Sequence, residues 1–595
     1  MKIPVHLKKF TLTQNYSRYT PMDQAGWRYI MRISEDFFKD HAHNIYLQGL
    51  PSTGISTEYI PKISEMNLRL EKLGWNAAVI SGFIPPAIFL EFLSLGILPI
   101  ACDMRTPEHL SYTPAPDIVH EAAGHAPILA NADYADYIRQ YGEVSQKVIF
   151  SEEDLAVYNA IRKLSDVKED PKSTPKEIEE ANQELIRANE KNTNVSEATL
   201  LSRMAWWTIE YGLVGSMERP LIYGAGLLSS VGESYDCYAN NVEKRPLTLD
   251  CIYQTYDITK PQPQLFVTPS FAHLKKVLKE FSELLAYKIG GLKALEKAQQ
   301  ARTLTTTVWN TGVQFSGKLT EISAEHGKPI YLKWQGPAQL SFANKEIKNF
   351  GPKNLKKNWE CPVGKMKAPL VSKNQLKGLG FTPRSRGTIE WPESGYAVTG
   401  KLKRVATHGN RVLALLLTQA IVSRNGKPLS KHKEYLIPVG IEIVSVFGEA
   451  ADRAAYYKVV KTLHEPKVKQ KSNLTKENKK LNKFYLEVRK LREVWNKNSK
   501  KKVSKLRIPK MKEKLVAIAK QLNQFYPEDW LLRLEILELA LLDPQQRDLV
   551  DSLETQLRLL QNKSSDQKKL IARGMNLIKS QTTSSRSGEL QHRAL

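Results

Sequence analysis

Three stretches of this sequence hold residue types and spacings that can do chemistry. His120-Glu121-Ala122-Ala123-Gly124-His125 sets two imidazoles five residues apart, Met204-Ala205-Trp206-Trp207-Thr208-Ile209-Glu210 places one acid in an apolar run, and Tyr223-Gly224-Ala225-Gly226-Leu227-Leu228-Ser229-Ser230 is rich in turn formers. Zinc proteases space their helical histidines four apart, on one face. Five residues turn an ideal helix by about 500° and leave the rings roughly 140° apart, so both reach one ion only if the helix ends between them. Gly124 is the natural terminator. Glu210 is the best third ligand, because an unpaired carboxylate in apolar surroundings is costly and metal ligation offsets that cost. Two histidines and one carboxylate leave open positions on the metal, the arrangement of ferrous oxygenases. Two rivals stand beside this reading. One is a hydrolytic zinc site with Glu121 as general base; the other is a hydrogen-bonded histidine couple with Glu210 salt-bridged, for instance to Arg203.

The elements that must position these residues read as mainly helical from about residue 19 to about 295, with apolar residues at three and four spacing in WRYIMRISEDFF, IPKISEMNLRLEKLGW and HLKKVLKEFSELLAYKI. Within this region, 165–194 is a charged insertion poor in large apolar residues, expected to be solvated with one exposed helix. From Thr303 to about Phe447 the pattern changes to short alternating runs broken by Gly, Pro and Asn-Gly, which predicts a β-rich domain. Beyond Glu449 helical periodicity returns through a lysine-rich stretch. The expected division is a catalytic domain at 1–300, a β-rich domain at 301–448, a basic helical region at 449–580 and a disordered tail at 581–595.

Composition is that of a multidomain globular protein of 595 residues, longer than one core usually supports. The four cysteines, Cys102, Cys237, Cys251 and Cys361, lack paired spacing, which argues against a disulfide framework and a thiolate zinc site. No stretch approaches a membrane span and the start lacks a cleavable leader, so a cytoplasmic location is expected. The net charge of +25 is uneven: residues 1–300 hold 31 basic and 37 acidic side chains, which leaves about +31 on the remainder.

At its chemical residues the chain resembles the pterin-dependent aromatic amino acid hydroxylases, the family of phenylalanine, tyrosine and tryptophan hydroxylases. Tyr112-Thr113-Pro114-Ala115-Pro116-Asp117-Ile118-Val119-His120-Glu121 followed by Gly124-His125 looks like its YTPEPDxxHExxGH block, with Arg105 at the family's distance upstream. Trp206 to Leu213 resembles WFTVEFGL, and Tyr223 to Glu233 reads as YGAGLLSSxGE. The resemblance implies an aromatic-amino-acid-hydroxylase-like catalytic domain, mainly α. It implies Fe(II) held by His120, His125 and Glu210, a tetrahydropterin such as tetrahydrobiopterin contacted by Gly82, Ile84, Phe89 and Glu121, and O2 as co-substrate. It places the amino acid against Arg105, Thr113, Trp206, Ser229 and Ser230, with Arg105 gripping the carboxylate bidentately. By residue pattern alone, Phe89 reads as core within PPAIFLEFLSLGILPI. Ala205 stands where a tyrosine is common, and Pro85 and Pro86 where serines often line the pterin site. Ile258 aligns with the position where the tyrosine-specific branch tends to have aspartate, which favours phenylalanine, then tryptophan. The chain begins almost at the catalytic region, so the regulatory domain of animal members is not expected, and no matching tetramerisation helix is recognisable.

Nothing in the second half resembles this family. Residues 461–520 carry 21 basic and 5 acidic side chains with Phe484, Tyr485 and Trp495 interspersed. Such a run could bind an anionic partner, nucleic acid or lipid headgroups, but a solvated helix face beside an apolar one is the favoured reading. Since every matched block lies before residue 300, a fragment ending near Gln300 is expected to fold and work alone.

Overall fold

The computed structural model describes residues 3–80, 84–111, 116–169, 173–258, 260–368, 375–382, 385–460, 476–499 and 508–591. Its first element of consequence is the Pro21–His41 helix, opened by a capping box in which Thr20 and Asp23 each accept the other's backbone N–H, at 3.1 and 2.8 Å respectively. One face buries Trp27, Ile30, Met31, Ile33 and Phe38. A short parallel pair, Asn76–Ile80 with Ile97–Ala101, is bridged by the Pro86–Ser94 helix. A small four-stranded sheet follows, its strands ordered Pro220–Ile222, Leu213–Gly215, Gln264–Thr268 and Glu243–Pro246. The helix Ala132–Ser145 runs behind the candidate site and buries Tyr134, Tyr137 and Tyr141. The charged insertion forms the helices Glu152–Glu169 and Pro175–Lys191, the second with its own capping box at Thr174 and a single buried residue, Ala181.

The β-rich part comprises two antiparallel sheets. A six-stranded one includes Leu304–Trp309, Val313–Glu325, Lys328–Phe342 and Ile443–Gly448; a four-stranded one runs from Gly387–Trp391 through Tyr396–His408 and Arg411–Arg424 to Lys427–Pro438. Residue 300 is not a seam between cores. The Gly291–Ala301 helix packs Ala294, Leu295, Ala298 and Ala301 into the first sheet together with Trp309, Leu319 and Trp334. Its apolar face is completed mainly by strands, with Ala286 of the preceding Ala286–Ile289 helix beside them.

The C-terminal helices return to the N-terminal domain. Leu481, Phe484, Tyr485 and Val488 from Lys476–Ser499, Leu515 and Leu522 from Ile508–Phe525, and Leu531 to Ala540 share one continuous core with Trp27, Tyr29 and Ile33. Phe484 and Tyr485 are thus core side chains, not stacking platforms, and 461–475 and 500–507 lie outside the described residues. Polar contacts seal the joint: Arg28 Nη1 donates to Glu535 at 2.9 Å and to Glu538 at 2.7 Å, and Tyr29 Oη donates to the Leu570 carbonyl at 2.6 Å. The last helix spans Ser565–Gln591, running into the 581–595 stretch that the sequence marks as a disordered tail, of which 592–595 lie outside the described residues. Among the described residues, no helix is long and apolar enough to cross a membrane.

Candidate metal centre

Two stretches depart from α-helical winding, and they hold the three candidate ligands. Val119–His125 and Trp206–Glu210 are both π-wound. A π-turn bonds residue i to i+5, so side chains five apart sit one above the other. His120 and His125 therefore reach one point without a helix end between them, and the expectation that Gly124 terminates the helix is corrected. Gly124 serves a different need: a Cβ there would lie 2.8 Å from the Ala225 carbonyl oxygen, so only glycine lets the histidine segment rest on the following loop. Gly224 does the same for the carboxylate segment, since its Cβ would lie 2.4 Å from the Glu210 carbonyl oxygen.

The convergence is close. His120 Nε2 and His125 Nε2 are 3.3 Å apart, and the Glu210 carboxylate lies 3.4 Å from the first and 3.5 Å from the second. The rings meet edge to face at 90°. Adjacent ligands on an ion with bonds of about 2.1 Å stand roughly 3 Å apart, so the three donors fit one transition-metal ion. Glu121 brings a fourth group within 4.8 Å of both imidazoles. Its Oε2 is buried and has no hydrogen-bond partner among the described residues, an acceptor that a cation or ligand proton would satisfy.

Electrostatics agree with a cation site. Burial, reinforced by the Arg105 charge, pushes the His120 imidazole down to about 3, and burial with His120 beside it keeps His125 well below its ordinary value. Both are neutral at physiological pH, the form that ligates metal. Burial lifts Glu210 to about 8, and burial with Glu210 and Asp117 nearby lifts Glu121 well above the carboxylate range. Two adjacent acids that cannot both ionise in isolation are what a divalent ion would stabilise.

Neighbouring groups orient the ligands. Ser229 Oγ lies 3.0 Å from His120 Nδ1 and fixes that ring. Arg105, buried, donates through Nε and Nη2 to the two Asp117 oxygens, each at 2.8 Å, and through Nη1 to the Ser229 carbonyl at 3.0 Å. Its bidentate edge is therefore spent on Asp117, which corrects the expectation of a bidentate grip on substrate. One hydrogen on each Nη remains for an incoming carboxylate. Ser230 Oγ donates to the Ser111 carbonyl at 3.2 Å and caps the Val231–Asp236 helix. Trp206 is sandwiched, 4.3 Å from Tyr256 at 8° and 4.6 Å from Tyr211 at 29°.

Gly82 and Thr113 lie outside the described residues. Ile84 is buried, and Phe89 half-buried, in a cluster with Leu7, Phe10 and Phe92 below the Pro86–Ser94 helix. Ile258 is 37% exposed. Sequence reasoning missed Asp117, Tyr211 and Tyr256. Asp117 had a signal, a carboxylate three residues before the first histidine that accepts from the His120 N–H at 3.1 Å; the aromatic sandwich had none.

With that geometry in place, comparison with known proteins is informative. The family model of biopterin-dependent aromatic amino acid hydroxylases matches residues 8–159 and 182–293, leaving out a gap that falls within the charged helical pair. Over these residues the chain is similar to that family. The phenylalanine-4-hydroxylase of Ralstonia nicotianae is 28% identical over 268 residues, 44% of this chain and 72% of that one. That of Mesorhizobium japonicum is 28% identical over 295 residues, 49% of this chain and 90% of its relative. A solved Chromobacterium violaceum phenylalanine hydroxylase covers 48% of this chain and 93% of its own, at 24% identity and a TM-score of 0.37.

Proposed function

We propose that this protein hydroxylates phenylalanine to tyrosine with O2 and a tetrahydropterin, at ferrous iron held by His120, His125 and Glu210. The observation that carries this reading is the meeting of three donor atoms within 3.3 to 3.5 Å, on two π-wound segments of a biopterin-dependent hydroxylase domain. Bound together, ferrous iron and reduced pterin supply the electrons that activate O2. The chain's own residues do the rest. Neutral imidazoles and Glu210 hold three positions on one side of the ion and leave the others open. Ser229 keeps the His120 ring from rotating. The remaining Arg105 hydrogens, together with Thr113 and Ser230, would receive the amino acid. The Trp206 indole, held rigid between Tyr211 and Tyr256, would present its edge and not a free face to the substrate ring.

Gly82, Ile84, Phe89 and Glu121 would hold the pterin, Phe89 by its ring face and Glu121 as the polar group at the iron edge. The strand end at Gly448 and the C-terminal helices pack against the domain that holds this centre. The four unpaired cysteines and an oxidisable ferrous ion suit a reducing cytoplasm.

The test is an assay on purified full-length protein. Stoichiometric iron and conversion of phenylalanine to tyrosine only in the presence of tetrahydropterin are expected, with tryptophan measured in parallel. Protein that carries zinc and turns over neither amino acid would overturn the proposal.

Arg105→Lys separates substrate binding from metal binding. Losing the remaining Nη hydrogens removes a charge-assisted hydrogen bond to the substrate carboxylate, on the order of 1.5–3 kcal/mol, so the KM for phenylalanine should rise at least about tenfold. Asp117 loses its bidentate partner in the same step, so the melting temperature should fall while iron stays bound. An unchanged KM would remove Arg105 from the amino acid pocket.

A further inference from the structure

Just after the β-rich part, a charged side chain anchored to its sheet reaches into the hydroxylase domain. Asp452 follows the last strand of the six-stranded sheet and is tied to it from both sides: its N–H donates to Gln339 Oε1 at 3.0 Å, its carbonyl accepts from Gln339 Nε2 at 3.1 Å, and its Oδ2 accepts from the Glu346 N–H at 3.0 Å. Asp452 also caps the Arg453–Val459 helix through the Ala455 N–H, and Tyr456 donates to the Pro337 carbonyl at 2.9 Å. The position of Arg453 is thus set by the sheet. Next to it the strand end presses on the hydroxylase domain, where a Cβ on Gly448 would lie 2.1 Å from the Val148 carbonyl oxygen.

Arg453 reaches across this contact. Nη1 donates to Glu91 Oε2 at 3.2 Å and Nη2 to the Gln146 carbonyl at 2.8 Å. Glu91 is only 7% exposed, and its other oxygen meets His6 Nε2 at 2.8 Å. Burial alone would raise this carboxyl, yet the His6 hydrogen bond and the Arg453 charge hold it below its ordinary value. Gln146 Nε2 in turn donates to Ser94 Oγ at the end of the same helix. Glu91 and Ser94 both belong to Pro86–Ser94, and Phe89 stands two residues from Glu91. A helix of nine residues is therefore clamped at two points by an arginine that the second half supplies.

We propose that Arg453 is a positioning residue for the pterin: through Glu91 it fixes the helix that presents Phe89, so the β-rich half completes the cofactor site without touching it. This rests on the hydroxylase reading and on Phe89 as the pterin's stacking partner. It accounts for a buried glutamate whose arginine partner lies 362 residues away in sequence. Burying a carboxylate is costly, and without Arg453 the His6 contact alone would be left to offset that cost, so the helix must shift or let water in.

The experiment uses full-length, iron-loaded protein with 7,8-dihydrobiopterin as probe, its Kd measured by titration calorimetry. Arg453→Gln and Glu91→Gln should each raise that Kd about fivefold or more, since a small displacement of the stacking helix weakens the whole ring contact. Iron content and the KM for phenylalanine should stay within about twofold, and the double variant should bind no worse than the weaker single one, because both act on one path. Arg453→Lys, which keeps the charge but loses the fork, should fall between and decides the matter if the glutamine variant does not fold. A pterin Kd unchanged in the Arg453 variants while the melting temperature drops would make Arg453 a structural strut and overturn the proposal. An equal rise in the phenylalanine KM would overturn it as well, as general damage. Wild-type protein that holds iron but binds no dihydrobiopterin would overturn the hydroxylase reading itself.

Discussion

Alanine at His120, His125 or Glu210 should each leave full-length protein that folds but purifies with little iron, and whose tetrahydropterin-dependent turnover is lost. Changing a group that merely orients a ligand typically costs 10 to 100-fold in metal affinity, so removing a ligand should cost at least about 100-fold. Folding should survive because the three side chains meet one another only at the candidate ion: the two Nε2 atoms and the carboxylate form a triangle of 3.3 to 3.5 Å, with no covalent or capping role in either π-wound segment. Burial already pushes Glu210 to about 8, so without metal it stays protonated at neutral pH and contributes no ion pair whose loss would unfold the domain. Melting temperatures near that of metal-free wild type are expected, with iron read by elemental analysis. Normal iron content in all three variants would sink the site.

Truncation should have the second largest effect, and in the direction opposite to the one the sequence suggests. A chain ending at Gln300 should aggregate or remain partly unfolded, not work as an independent hydroxylase. Such a fragment keeps all but the last residue of the Gly291–Ala301 helix, yet loses the strands against which Ala294, Leu295 and Ala298 pack. It also strips the cover from Pro21–His41. Tyr29, whose ring meets Trp530 edge to face at 5.1 Å, loses that partner and the Leu570 carbonyl, and Arg28 loses Glu535 and Glu538. Removing several large apolar neighbours at about 1.5–3 kcal/mol each exceeds the 5–15 kcal/mol by which domains are ordinarily stable. Size-exclusion chromatography and circular dichroism of the fragment beside the full chain make the comparison. A soluble, monomeric, iron-loaded fragment with wild-type turnover would show that the C-terminal helices are dispensable.

These two expectations mark the line between local and global information. His120, His125 and Glu210 were legible because their types, the cost of an isolated acid in an apolar run and the ordered blocks around them are properties of short stretches. The alternating runs after Thr303 and the helical periods on either side were legible too, since periodicity follows from which face of each element is buried. Winding was not. Whether residues 119–125 close as α or π depends on what they rest against, here the Ala225 carbonyl within reach of Gly124, and no local pattern carries that.

Tertiary structure alone decided the partners. A sequence shows that Arg105 is an arginine; only the fold shows its fork turned to Asp117. Lysine spacing in 476–499 is helical in either case, but that Phe484 and Tyr485 are core follows from a helix nearly 460 residues downstream of Met22 packing back on it. Charge reversal near residue 300 reflects which surfaces meet water, whereas the boundaries between cores reflect which apolar faces meet each other. The two need not coincide, because chain order places no limit on which faces close a core, and Glu91 with Arg453 shows the same for the residues that set a catalytic site.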